Sequence, residues 1–588
     1  MKGLFGNTRR VDLGGSCANN TIVQLFEWPW TSVATECTQY LAPFGYGYVQ
    51  VSPASEHITG TQWWTDYQPV SYILTSKRGT QAEFESMVST CNAAGVGVLV
   101  DVVFNHMTGS SASTTSTGFA GSSYSKYNYP AVPYTASQFH YCNGANGAAS
   151  ISDYTNATNV WFCELSGLAD LAQEQAGVRE SIAAYLQVLL NAGVAGFRVD
   201  SAKSMPPANI SAIFSLLSGS FYDTQEVVYG AGNSPLVEPD QYTGNGDVIE
   251  FRVPGSIYTY FTSEGIANMV TPTPMGAAWG FLASSSANAI MANQDSERNP
   301  GESLNYEAAN NAYVLGAIFL LAFNYGTPTV YSGYNYTSYD QGACTSSSGY
   351  TNAVSCNSNG WRCEHRWQAI ANMVAFHNAV GSSALTNIQE GSSNQQIAFG
   401  RGSIGFVAIN NAGSSWSQTF TTSLPAGTYC DAIHDTNTSP SVCTGTTYTV
   451  SGGSFSATIG AYDAIALYVN KDISIGSGSS SGGGGGSGGT VAITFNLQVT
   501  TVVGQEVYLT GSISQLNDWS TSSNLLLSAA DYTSSDHLWF ITVELPENTS
   551  FQYKFYYTQN GQVTWEADPN RSYTTGTGAA TVNDVWQS

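Results

Sequence analysis

The chain has 588 residues, with 41 acidic against 17 basic side chains and a formal net charge of −24. That balance excludes the positive field needed to hold nucleic-acid phosphates or an anionic membrane surface, and it leaves neutral polymers as partners. A chain this long exceeds one hydrophobic core, so several domains are expected.

The opening segment MKGLFGNTRRVDLGG lacks the apolar run of a secretion signal, and no apolar run is long enough for a membrane span. There are 10 cysteines, none in C-x-x-C spacing, and sequons at Asn156, Asn209, Asn335, Asn437 and Asn548. Disulfides and export are the expectation, with the leader already removed and a monomeric, extracellular product.

In chain order, TIVQLFEW reads as a strand, VATECTQYLAPFG as a helix, YGYVQVSP as a strand, EFESMVSTCNAAG as a helix and GVLVDVVF as a strand. An irregular stretch, 107–170, follows the third strand, and a loop that long inside a compact domain is usually functional. Then come VRESIAAYLQVLLNAG (helix), VAGFRVD, EVVYG and AIMANQD (strands), AANNAYVLGAIFLLAFNYG (helix) and TPTVYSG (strand). Continuous apolar strands alternating with helices imply a parallel sheet buried on both faces, here a (β/α)₈ barrel over 1–106 and 171–381. Short strands (QIAFGRG, GFVAINN, TYTVSG, AIALYVN) mark a β-rich domain over 382–471. GSGSSSGGGGGSGG cannot form a core, so 472–490 is a flexible linker with a reach of about 22–26 Å. The remainder, 491–588, carries VAITFNLQV, EVYLTGS, LWFITVEL and FQYKFYY and reads as a separate β-sandwich.

GFRVDSAKS places two opposite charges in an apolar strand. Residues i and i+2 share a face, so Arg198 and Asp200 point the same way. Asp200 closes the strand at the barrel mouth, and Arg198 one layer below supplies a counter-charge. Taken alone, this is as well read as a plain buried ion pair. DVVFNH ends another strand with Asp101, Asn105 and His106; QEVVYG places Glu226 in the next strand; ANQDSER places Asp295 at the end of a later one. Three carboxyls at one mouth cannot all stay ionised, and one held protonated beside one charged is what glycoside hydrolysis requires.

Taken in order, DVVFNH, GFRVDSAKS, QEVVYG and ANQDSER resemble the four signature regions of the α-amylase family, glycoside hydrolase family 13. TIVQLFEW, YVQVSPASEH, WWTDYQP and CEHRW are similar to the animal-type members in particular. The resemblance runs to about residue 471 and implies a barrel with an inserted domain and a β domain behind it. It implies Asp200 as nucleophile, Glu226 as acid and base, and Asp295 as a stabiliser of the distorted sugar. Arg198 would orient the nucleophile, and His106 would contact the same sugar. Trp63, Trp64, Tyr67 and Gln68 would line the donor side, and Lys203 the acceptor side. Calcium is implied between barrel and insert, with side-chain oxygens of Asn105 and Asp170 and backbone carbonyls of Trp161 and Ser204 as ligands. An N-cap role is the alternative for Asp170.

The family usually carries His before the third acid, where this chain has Gln294. Of the chloride-binding set of animal-type members, Arg198 and Asn293 fit, but Thr329 stands in place of the second arginine, so chloride is not expected. The same match implies disulfides Cys37–Cys91, Cys142–Cys163, Cys356–Cys363 and Cys430–Cys443, and leaves Cys17 and Cys344 unassigned.

VYLTGSISQLNDWS, ADYTSSDHLWFITVELP, FQYKF and VTWEADPNRSY resemble the starch-binding module of carbohydrate-binding family 20. The resemblance implies one site with Trp519 and Trp565 as platforms and Lys554 and Asn570 as polar contacts. A second would use Tyr532 with Trp539 near it, weakened by Val503 where an aromatic is usual. The expected function is a secreted α-amylase acting on starch and maltooligosaccharides. A maltooligosaccharide-forming or transglycosylating relative and a catalytically silent starch-binding protein are the competing readings.

Overall fold

The computed structural model describes residues 19–142, 149–437, 443–471 and 490–587, the last stretch without 503–504, 520–524, 530–531, 534–535, 548 and 560–561. Eight short strands close into a parallel barrel: β1 (Ile22–Leu25), β2 (Tyr48–Val51), β3 (Gly97–Val102), β4 (Gly196–Val199), β5 (Tyr222–Gln225), β6 (Asp247–Ile249), β7 (Ala287–Ile290) and β8 (Thr327–Ser332). Each pairs with its neighbours in sequence, and β1 pairs with β8. Val23, Val49, Val98, Val100 and Phe197 are fully buried, as expected of strands covered on both faces. Gly196 is required where β4 meets β5, because a Cβ there would lie 2.1 Å from the Tyr222 carbonyl oxygen.

Three strands depart from the sequence reading. The fifth is Tyr222–Gln225, not EVVYG, so Glu226 lies just past its end rather than inside it. The sixth, Asp247–Ile249, is three residues long and too short to show a period. The seventh is Ala287–Ile290 rather than AIMANQD, so Asp295 lies five residues past the strand and not at its end. Around the barrel run helices Gln81–Ala93, Ala176–Asn191, Ala312–Ala322 and Gln368–Val380. The first is capped reciprocally by Thr80 and Glu83.

Between β3 and the helix Ala176–Asn191 the chain makes a two-stranded ribbon, Ser116–Thr117 with Ser123–Tyr124, and a short helix, Ala157–Phe162. After the barrel, strands 385–390, 396–401, 405–410 and 463–468 form a four-stranded antiparallel sheet. The four disulfides implied by the family match are all formed. Cys344 is exposed and unpaired among the described residues, while Cys17 lies outside them.

The chain divides into two compact units, Met1–Ile475 and Gly476–Ser588. The second is a β-sandwich: one sheet of 538–546, 490–498 and 580–585, and one of 506–511, 550–559 and 562–565 with 571–574. Its core gathers Ile493, Phe495, Leu497, Leu509 and Phe555. The linker 476–489, Val503 and Asn548 lie outside the described residues. Among those described, no helix is long and apolar enough to cross a membrane.

Candidate active site

Parallel register sets Asp101 of β3 opposite Arg198 of β4. The Arg198 guanidinium is 1% exposed and serves three acids. Its Nη1 donates to Asp101 Oδ1 and Oδ2 at 2.8 and 2.9 Å and to Asp200 Oδ1 at 2.8 Å. Its Nη2 pairs with Glu226 Oε1 at 2.6 Å. Asp101, to which the family resemblance assigns no role, is thus the acid buried deepest in the cluster, and Tyr67 Oη donates to its Oδ2 at 2.8 Å.

Ser201 follows Asp200 and takes left-handed backbone angles, φ 48° and ψ 33°, which a non-glycine residue adopts only under constraint. In that conformation its backbone N–H donates to Glu226 Oε2 at 2.7 Å, and its hydroxyl donates to Asp200 Oδ2 at 2.9 Å. One residue thereby holds both acids. The sequence carries no signal for it, because serine is not the residue expected at a positive φ.

The acids are not equivalent. Burial raises the Glu226 carboxyl, Arg198 opposes this and the Asp200 charge adds to it. Burial and then the Glu226 charge raise Asp295. Burial also raises Asp101, against the pull of Arg198. His106 is pushed down to about 4 by burial, so its ring is neutral. Its Nε2 donates to the Tyr67 carbonyl at 2.9 Å, and its Nδ1 accepts from Asn105 Nδ2 at 3.2 Å.

Asp200, Glu226, Asp295, His106, Trp63, Trp64, Tyr67, Lys203 and Gln294 line one cleft of about 600 Å³, together with Tyr154, Val228 and Tyr229. The wall is pinned from behind. Trp63 and Trp64 donate their indole N–H groups to the Tyr339 carbonyl and Asp340 Oδ1, at 2.8 and 2.9 Å. Beneath them, Lys77 Nζ donates to the Gln62 carbonyl and to Thr65 Oγ1 and lies 3.2 Å from Asp66 Oδ1. Arg78 bridges Asp66 and Glu27, at 3.3 and 3.0 Å. Lys203 donates to the Val228 carbonyl and stands 3.8 Å from Glu238, and burial lowers its pKa.

Two residues expected at the cleft lie elsewhere. Arg198 sits beneath the floor and reaches substrate only through the acids it holds. Gln68 turns its amide oxygen to the Gly109 N–H at 3.0 Å and is not part of the lining, because the turn 63–67 ends before it.

Two of the expected cation ligands, Asn105 and Asp170, present oxygens that suit a hard cation. Asn105 gives its amide N–H to His106, which leaves Oδ1 buried without a partner. Asp170 Oδ1 is likewise buried and unpartnered, while its Oδ2 accepts from His140 Nδ1 at 2.7 Å. Gln173, which the sequence reading did not single out, presents a third such oxygen and donates its amide N–H to the Asn105 carbonyl at 3.0 Å. Unpartnered hard oxygens are the donors a calcium ion takes. Helix Ala157–Phe162, which bears Trp161, packs on the turn Ala202–Ser204, and Tyr242 Oη links the two, accepting from Trp161 Nε1 at 3.3 Å and donating to the Lys203 carbonyl at 3.1 Å.

In the C-terminal unit Trp565 is 40% exposed, with its ring against Tyr556 at 5.1 Å. Trp519 is half-buried, with φ 67°. Lys554 extends its ammonium to Asp568 at 2.6 Å, and exposed Asn570 donates to Gln552 at 3.3 Å. Tyr532 meets the Thr501 backbone through its hydroxyl and stacks on His537 at 5.3 Å. Trp539 stands edge-on to Tyr532 at 6.2 Å and is 8% exposed within the sandwich core, so it buttresses that ring rather than offering a surface of its own.

Three family models match: the α-amylase catalytic domain over 34–216, the α-amylase C-terminal all-β domain over 388–470, and the starch-binding domain over 490–585. The α-amylase of Streptomyces violaceus is 42% identical over 96% of this chain and 93% of its own. That of Thermomonospora curvata is 39% identical over 97% and 91%. The Tribolium castaneum α-amylase is 40% identical over 77% of this chain and 95% of its own. Among solved structures, α-amylase I of Eisenia fetida, known also as a mutant in complex with maltohexaose, superposes with a TM-score of 0.72 at 36% identity, covering 77% of this chain and 98% of that one.

Proposed function

The chain belongs to the α-amylase family of starch-hydrolysing enzymes, and from that premise we propose a secreted endo-acting enzyme that cleaves α-1,4-glucosidic bonds with retention and is drawn to granules by its C-terminal module. One observation carries the mechanism: Asp200 and Glu226 share the Arg198 guanidinium and the Ser201 clamp, while burial biases Glu226 toward its protonated form.

In this reading Asp200 attacks C1 of the donor sugar as Glu226 gives its proton to the leaving glycosidic oxygen. A glycosyl ester forms on Asp200. Glu226, now a carboxylate, takes a proton from water, and the water oxygen opens the ester at C1. Asp295 engages the donor-sugar hydroxyls; His106, its ring nitrogens taken by Tyr67 and Asn105, packs against the same sugar, and Trp63, Trp64 and Tyr67 supply apolar faces for the sugar ring. Proton NMR of fresh products from soluble starch tests this. α-Anomers of mixed length are expected first, and early β-anomers would exclude the covalent route.

Asn105 and Asp170 would hold calcium, with Trp161 and Ser204 carbonyls completing the set. The ion would tie the insert to the barrel. Its removal is expected to cost about 2.7 kcal/mol of stability relative to hundredfold saturation. Calorimetry with and without chelator should show the drop, and Asn105→Ala should blunt it. No chloride activation is expected, because the Thr329 hydroxyl already accepts from Asn288 Nδ2 at 2.8 Å and brings no charge. Rates in chloride and in acetate at equal ionic strength should coincide.

Export is supported by four disulfides. Among the described sequons, exposed Asn156 and Asn335 are the most open to glycosylation. Removing residues 472–588 should lower granular-starch hydrolysis about tenfold or more while soluble-starch rates hold, because tethering acts through local concentration. Equal loss on both substrates would refute targeting.

A further inference from the structure

Gln24 and Gln294 are 270 positions apart in sequence, and their side chains meet at the cleft floor. Gln24 lies on β1, level with Gln50 of β2 and Tyr331 of β8, and is 5% exposed. Its Nε2 donates to Gln294 Oε1 at 2.9 Å. Arg298 Nη1 donates to the Gln294 carbonyl at 2.8 Å, which anchors that residue's main chain. Gln294 lines the cleft beside Asp295; Gln24 does not. A glutamine amide has two orientations of nearly equal shape and opposite polarity. With Oε1 engaged by Gln24, the group left to face the cleft is the Gln294 NH₂.

We propose that Gln24 is a positioning residue that locks Gln294 as a hydrogen-bond donor to a hydroxyl of the sugar bound against Asp295. The reversed amide would turn its oxygen to the cleft that Asp200, Glu226 and Asp295 also line, where it could accept but not donate. The pair thus supplies a neutral donor whose polarity is the same at every working pH. This rests on the reading of the cleft as the active site.

Gln24→Glu is the informative variant. As a carboxylate, Glu at this position can only accept. It would draw the Gln294 NH₂ to itself and turn Oε1 to the cleft, and kcat/KM on maltooligosaccharides should fall about 10²-fold. Toward acid pH the buried carboxyl takes a proton and donates again, so the ratio of variant to parent kcat/KM should climb. The charged or titratable groups nearby are Asp200, Glu226, Asp295, His106, Lys203 and Tyr67 of the cleft, Arg298 at the Gln294 carbonyl, and Tyr331 level with Gln24. All are present in Gln24→Met as well, which reports their titration without a carboxyl at position 24. Gln24→Met, which neither donates nor titrates, should give a smaller loss and a ratio flat with pH.

In a Gln294→Ala background neither change at position 24 should lower kcat/KM by more than about twofold. A flat ratio for Gln24→Glu, or an undiminished loss in the Gln294→Ala background, would overturn the proposal and leave Gln24 as barrel packing. Should Gln24→Glu not fold, Gln24→Met in the two Gln294 backgrounds decides by the same coupling. Parental kinetics for Gln294→Ala alone would instead remove Gln294 from substrate contact, and the proposal with it.

Discussion

Asp200→Asn is expected to lower kcat on soluble starch by about 10⁴- to 10⁶-fold, the range seen when a nucleophile is removed from an otherwise intact site. The substitution is close to isosteric. The amide oxygen can still accept from Arg198 Nη1, as Asp200 Oδ1 does at 2.8 Å, and the Ser201 hydroxyl can turn to accept from the new N–H. The fold and the melting temperature should therefore hold, as should adsorption to granules through the C-terminal module. What is lost is the electron pair that attacks C1. Initial rates of reducing-end release, with granule adsorption as the control, make the measurement. Activity within tenfold of the parent would exclude Asp200 as nucleophile.

Arg198→Met should show the largest loss of stability. It strips the counter-charge from Asp101, Asp200 and Glu226 at once, and an uncompensated buried charge costs about 3–5 kcal/mol. The sign with pH follows from burial. Asp101 is already raised in the intact protein by desolvation, with Arg198 opposing. Without Arg198 its folded pKa rises further. Between the ordinary carboxylate range and that raised folded pKa the folded state binds more protons than the unfolded state, so stability falls as pH rises through that window. The melting-temperature deficit of the variant should be large at pH 8 and shrink toward pH 5. A deficit equal at both pH values would show that Arg198 contributes packing rather than charge.

How far the sequence reaches can be judged residue by residue. Asp200 was legible because a strand alternates faces, so a charge two residues after Arg198 had to share its side and end at the mouth. Glu226 was legible as part of a motif, but the strand before it was not. Tyr222–Gln225 carries Asp223, Thr224 and Gln225, all buried: Thr224 shares the inward face of Arg198, while Asp223 and Gln225 face the other way, Gln225 donating to the Tyr242 and Asp247 carbonyls. Of the apolar run that imitates a strand, Val227 is buried, but Val228 and Tyr229 are 46% and 41% exposed at the cleft edge. Periodicity looks for apolar residues inside, and here the two are exchanged. The Lys77, Asp66, Arg78 and Glu27 cluster joins segments some fifty positions apart, up to 51 for Arg78 and Glu27, and no local pattern announces it. The unpartnered oxygen of Asn105 emerges only once His106 is seen to take its amide N–H. In the C-terminal module the sequence sets Trp565 as a platform and Trp539 near Tyr532, and burial adds that Trp539 lies behind that ring in the core.

The Ser201 clamp has a mechanical consequence. Asp200 leaves β4 and Glu226 leaves β5, so the gap between them would ordinarily follow every relative movement of two strands. Both carboxylates are instead referred to a single residue by its backbone N–H and its hydroxyl. Thermal expansion of the barrel then moves the pair together and leaves their separation to the local geometry of one left-handed turn. The spacing that selects retention over inversion is in this way insulated from the breathing of the scaffold that carries it.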